Sequence, residues 1–315
     1  MEYVLILLAA LCIGVQFNVN KIYGKVSPKG IIGTLMFPFI ATFVSALVVF
    51  CVNLFKIKFT WFGILMATIG SVISVISLMV GILATGRGRV GVYTTFMMLG
   101  GMFLPYMYGL FTGDSITVGK IIGMVVLIGA LIMSVLPSKE ERESKQPVKL
   151  SFIILCSIAF ILNGCTSIIS NIHQKNVALQ MPTFDYVITS NLFQFVLAGI
   201  ALLVAFIIIK NKQKKNCSLK NEADTTEKET KSSFLKTALI ILGVCSLFAI
   251  VSTGGFLLQL IANKTLEPSL LYPFVTGGST VFGTLIAAVM FKEKINLSTI
   301  ISLSLMVVGT VLFIF

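Results

Sequence analysis

Apolar residues run in ten long blocks along the chain, separated by polar breaks. They lie near 3–20, 30–54, 60–83, 90–111, 117–136, 151–172, 184–209, 236–262, 268–291 and 297–315. A helix crossing the hydrocarbon core of a bilayer needs roughly 20 apolar residues. The blocks are continuous rather than alternating, which excludes a membrane β-barrel. The pattern predicts an all-α membrane protein with ten transmembrane helices.

The halves of the chain echo each other. At an offset of 179, Tyr93 falls on Tyr272, Phe103 on Phe282 and Asp114 on Glu293. After a one-residue slip, Gly129 falls on Gly309. Each half holds five blocks, an odd number, so the second copy must enter the membrane from the opposite side. The expectation is two inverted five-helix repeats. Residues 1–137 form the first repeat, 138–150 the linker between repeats, and 151–315 the second repeat with a polar loop at 210–235. That loop lacks the apolar content to fold alone. The first block has no basic leader and no small-x-small site before Lys21, so it reads as a retained span.

Composition agrees with the pattern. Hydrophobic residues make up 57% of the chain and charged residues 11%, where a soluble domain carries about 25% charged. All 12 acidic residues lie in connections or at span ends. The net charge of +12 raises the question of nucleic acid. The placement of the basic residues answers it: no nucleic-acid partner is expected, and the lipid bilayer is. Of 24 Lys and Arg, only Lys56, Lys58, Lys120, Lys175 and Lys264 fall in the even connections. The bias places the odd connections in the cytoplasm of a cell membrane and both chain ends outside. A reporter fused after Phe315 checks this: cytoplasmic reporter activity contradicts it.

Polar residues inside the blocks fall on faces. Asn163, Thr166, Ser167, Ser170, Asn171 and Gln174 keep helical spacing on one side of span 6. Lipid cannot solvate such a stripe, so it faces protein or a wet cavity. Gln16 and Asn20 share a face of span 1, with Asn18 on the other side. Span 7 adds Asn191 and Gln194, and span 8 aligns Ser252, Gln259 and Asn263. Tyr93 and Tyr272 open equivalent helices, where they either contact a solute or anchor at the interface. The expected solute-binding set is Gln16, Asn20, Tyr93, Asn163, Ser167, Asn191, Gln259 and Tyr272. Spans 5 and 10 are almost purely aliphatic and suit the lipid-facing periphery or helix–helix association, which leaves a homodimer open. Gly119-xxx-Gly123 in span 5 allows close packing.

The paired units, each with a small-residue fourth helix ending in an acidic turn, resemble the drug/metabolite transporter superfamily, in its ten-span EamA-type branch. The residues that carry this are Tyr272-Pro273, Gly277-Gly278-Ser279, FKEKIN (291–296) and Gly309. The first half shows a degraded version in Tyr93, Gly100-Gly101, FTGDSIT (111–117) and Gly129. The resemblance implies a central cavity lined by spans 1–4 and 6–9, with spans 5 and 10 outside. Two departures stand out. Small multidrug resistance relatives use a membrane-embedded carboxylate in the first helix, and no span here holds one. Family members commonly keep both termini in the cytoplasm, against the charge bias above.

The remaining chemistry is sparse. His173 is the only histidine and reads as a solvated interfacial residue, not a metal ligand. The six cysteines are scattered and read as small hydrophobes. Glu293 reads as a cap for the helix that follows it. HExxH and paired intramembrane aspartates are absent, so neither an enzyme, a metal nor a cofactor is expected. The leading reading is a transporter of a small polar solute, neutral or zwitterionic, working by alternating access. The competing reading is a sensory or structural protein of the same fold.

Overall fold

The computed structural model describes residues 2–28, 30–85, 87, 90–135, 150–217, 231–292 and 297–315. They form ten helices and no strand. In chain order these are α1 (Glu2–Val26), α2 (Ile31–Val52), α3 (Trp61–Thr85), α4 (Val90–Phe111) and α5 (Val118–Val135). The second half gives α6 (Leu150–Lys175), α7 (Thr183–Cys217), α8 (Lys231–Ala262), α9 (Pro268–Phe291) and α10 (Leu297–Leu312). Seven are long and apolar enough to cross a membrane, while α4, α5 and α10 carry shorter apolar segments. The all-α expectation holds.

The bounds differ from the sequence pattern where polar residues remain good helix formers. Helix α7 runs on through Lys210–Cys217, inside the segment expected as loop, and α8 begins at Lys231. Lysine and glutamine lose little in a solvated helix. Almost all of the expected linker, residues 218–230, and Glu293 lie outside the described residues.

Even-numbered connections meet at one end of the bundle. Asp185, at the start of α7, accepts from Asn53 Nδ2 at 2.5 Å and from the backbone N–H of Lys58 at 3.0 Å. The chain termini lie at this same end. Ile6 packs against Leu266 and Leu270, and the backbone of Phe315 would come within 2.9 Å of a Cβ added to Gly119. At the opposite end, Tyr23 packs with Ile241 and Cys245, and Tyr93 with Val80, Ala84 and Phe152.

The two halves exchange their first helices. Helix α1 packs on α8 and α9, while α6 packs on α3 and α4. The exchange depends on backbones approaching closely. A Cβ on Gly100 of α4 would sit 1.9 Å from the Phe160 carbonyl oxygen of α6. Helices α5 and α10 pair outside this group. Cβ atoms on Gly119 and Gly123 would lie 2.6 Å from Leu312 O and 2.8 Å from Gly309 O. The small-residue pair of span 5 is thus spent within the chain.

A charged cluster joins the halves at the terminus-bearing end. Lys120 Nζ donates to the Glu267 carboxylate, to Ser115 O at 2.9 Å and to Ser115 Oγ at 2.8 Å. Asp114 Oδ2 accepts from the backbone N–H of Ser269 at 3.0 Å. Asp114 therefore caps the first turn of α9, across the chain, rather than the helix that follows it. Burial opposes ionisation of Glu267, but Lys120 and Ser115 outweigh it and hold the carboxyl below its usual value of 4.5. A lowered carboxylate pKa contributes stability that is full above 4.5 and fades as pH falls through the folded-state value. Glu267 is 39% exposed, so the contribution is under about 1 kcal/mol. Thermal unfolding of Lys120→Met should lie below that of the unaltered protein at pH 7, with the gap closing as the pH falls below 4.5. An unchanged gap would show that the pair contributes nothing through ionisation.

Candidate functional site

A central cavity of about 510 Å³ lies where eight helices meet. Side chains from α1–α4 and α6–α9 line it, and none from α5 or α10. Positions 150 apart face it from the two exchanged helices. Ile13, Gln16 and Phe17 of α1 correspond to Asn163, Thr166 and Ser167 of α6. The volume falls in the range of small-molecule pockets.

Six of the expected residues line this cavity: Gln16, Asn163, Ser167, Asn191, Gln259 and Tyr272. Asn163 Nδ2 donates to the Met97 carbonyl of α4 at 2.8 Å, and Asn191 Nδ2 to Val187 O at 2.8 Å. Those bonds fix both amides, and among the described residues no donor to their oxygens is seen. Ser167 Oγ donates to Asn163 O at 3.3 Å. Tyr272 Oη donates to Ser167 O at 2.6 Å and accepts from Asn263 Nδ2 at 3.2 Å. Asn263 Oδ1 in turn accepts from Asn171 Nδ2 at 2.6 Å. The chain Asn171–Asn263–Tyr272–Ser167 ties α6, α8 and α9 together between the cavity and the terminus-bearing end.

Two expected residues lie elsewhere. Lining on α1 stops at Phe17, and Asn20, one turn farther, is exposed. Its neighbour Asn18 is the buried amide: its Nδ2 donates to Gly14 O at 2.9 Å and to Gly283 O at 3.0 Å. Tyr93 is buried among Ala84, Phe152, Leu155 and Cys156, with its hydroxyl over Gly81 and 3.8 Å from the Met97 sulfur. Alanine at 84 stands where the second half has Asn263, so no polar partner draws Tyr93 towards the cavity.

His173 also departs from expectation. It is fully buried rather than solvated, stacked 3.9 Å from the Tyr186 ring and 6.1 Å from the near-parallel Phe62 ring. Met181 N–H donates to Nε2 at 3.0 Å, so that nitrogen holds a lone pair and the ring is neutral. The ring fixes the turn between α6 and α7.

Sequence reasoning missed part of the lining. Thr42 and Ser45 of α2 reach the cavity, spaced four and seven residues after Pro38 on one helix face. That spacing was the available signal. Phe17, Phe37, Phe248 and Phe256 form the apolar wall. No sequence signal separates them from phenylalanines that face lipid.

Among the described residues, no Asp, Glu, Lys or Arg lines the cavity. The polar groups are five carboxamides, on Gln16, Asn163, Asn191, Gln194 and Gln259, with hydroxyls between them. Such a wall can exchange hydrogen bonds with a neutral polar group and offers no fixed countercharge.

A sequence model of the EamA-like transporter family matches residues 150–315, which is α6 through α10. The chain belongs to that family. No curated protein matches this EamA-like chain. Among solved structures it is similar to one described as "Crystal structure of protein", with a TM-score of 0.67 at 12% identity. That likeness covers 98% of the EamA-like chain and 95% of the other, and shows the fold alone. The family and the apolar helices make the EamA-like chain a multi-pass membrane protein.

Proposed function

We propose that this protein carries a small polar solute, neutral or zwitterionic, across the cell membrane through the central cavity. Transport proceeds by alternating access between two inverted repeats. The observation that carries the reading is the lining: among the described residues, five carboxamides and no charged side chain. An unpaired charge in such a site is costly, so a simple hydrophobic cation is a poor cargo. Carboxamides satisfy a neutral polar molecule or both ends of a zwitterion. The opposite run of α1 and α6 supports the inverted pairing, since α1 starts and α6 ends at the terminus-bearing end.

A thermal-shift screen of purified protein against a metabolite library tests the reading, because a ligand that binds only the native state raises its apparent stability. Hits should be polar and without net charge, and should be taken up or released by vesicles holding the protein. A hit list dominated by lipophilic cationic dyes would overturn it. Superposing α1–α5 on α6–α10 tests the architecture: an axis in the membrane plane is expected, and one along the membrane normal contradicts it.

A further inference from the structure

The connection between α2 and α3 has an unusual backbone. Leu54 and Phe55 sit at φ of 53° and 59°. Side chains larger than glycine rarely adopt that left-handed conformation, and two in succession need outside support. A clamp from the other half of the chain supplies it. Asn53 Nδ2 donates to Lys56 O and to Asp185 Oδ1, each at 2.5 Å. Lys58 N–H donates to Asp185 Oδ2 at 3.0 Å, and Thr60 Oγ1 donates to Leu179 O at 2.9 Å.

The clamp holds outward what a folded chain would otherwise cover. Leu54 is 72% exposed, Phe55 68%, Phe59 62% and Trp61 82%. They flank the exposed Lys56 and Lys58. Leu54, Phe55 and Phe59 lie in a connection and Trp61 opens α3, which puts all four at headgroup depth rather than among acyl tails. Three of the acidic groups at this end are already engaged. Asp185 is buried with both oxygens accepting, Asp114 caps Ser269, and Glu267 pairs with Lys120. Exposed Lys175 and Lys264 add to the positive charge there.

We propose that the α2–α3 connection is a docking site for an anionic phospholipid. Lys56 and Lys58 hold the phosphate of the headgroup, and Leu54, Phe55, Phe59 and Trp61 insert beside its upper acyl carbons. The basic pair is interleaved with large apolar side chains, which a soluble anion would leave bare. A bilayer covers both at once.

Trp61 is the only tryptophan in the chain, so its fluorescence reports on this site alone. The full-length protein is reconstituted in phosphatidylcholine vesicles with equal small fractions of brominated phosphatidylglycerol or brominated phosphatidylcholine. Brominated phosphatidylglycerol should quench Trp61 more strongly, with an enrichment of about fivefold for each lysine. The preference should vanish in Lys56→Gln/Lys58→Gln, whose exposed positions leave the fold intact, and should shrink in the unaltered protein at high salt. Equal quenching by the two lipids in the unaltered protein overturns the proposal. So does a preference that survives the double substitution. Loss of the preference on adding inorganic phosphate at matched ionic strength reassigns the site to a soluble anion, which also overturns it.

Discussion

Replacing Gly100 by alanine should lower the thermal unfolding midpoint sharply, by a destabilisation of about 3 kcal/mol. The added methyl carbon meets the Phe160 backbone, at 1.9 Å from its oxygen and 2.5 Å from its carbonyl carbon. Neither helix can yield by turning a side chain. Helices α4 and α6 must separate, and Asn163 then loses Met97 O as its acceptor. Gly254→Ala in α8 is the control, since nothing lies within 4 Å of the new methyl. There the change should be neutral or favourable by up to about 1 kcal/mol, from helix propensity alone. Midpoints measured in detergent decide it. If Gly100→Ala and Gly254→Ala unfold together, the close α4–α6 approach is not what holds the halves.

The second large effect concerns binding. Asn163→Leu should weaken whatever ligand the thermal-shift screen finds by about 10- to 100-fold and stop its transport, because a buried solute group would lose its partner. Leucine is close in size to asparagine and apolar, so membrane insertion should persist. Asn20→Leu should change neither binding nor flux, since Asn20 faces the surface. Undiminished transport by Asn163→Leu, with the protein confirmed in the membrane, would remove the cavity from the mechanism.

These two asparagines show where a sequence is readable and where it is not. Apolar block length announces the helices, because lipid punishes every unsatisfied backbone group alike. Helical spacing puts Asn163, Thr166 and Ser167 of α6, Asn191 and Gln194 of α7 and Gln259 of α8 on sides that line the cavity, while Ser170, Asn171 and Gln174 of the same stripe are buried beyond it. Spacing fixes a face, however, and not how far along the helix the cavity extends. Asn20 shares the face of Gln16 but lies beyond the end of the lining. Asn18 is turned inward by a partner it meets only in three dimensions, the Gly283 carbonyl. His173 follows the same rule: its burial depends on Tyr186 and Met181, which the turn after α6 folds back over it. Tyr93 and Tyr272 are equivalent in sequence and not in setting, since Ala84 and Asn263 give them different neighbours.

The unlike packing at the two ends of the bundle has a thermal consequence. Parting the helices at the Tyr23–Ile241–Cys245 cluster wets apolar surface, which raises heat capacity. Parting them at the Asn171–Asn263–Tyr272 chain wets amides and a hydroxyl along with the apolar Ile6–Leu271–Tyr272 cluster, and the polar groups offset part of that rise. Under the proposed alternating access, the two openings therefore differ in how strongly their rates bend with temperature. Eyring plots of the two half-reactions should then differ in curvature, the opening at the Tyr23 end curving more.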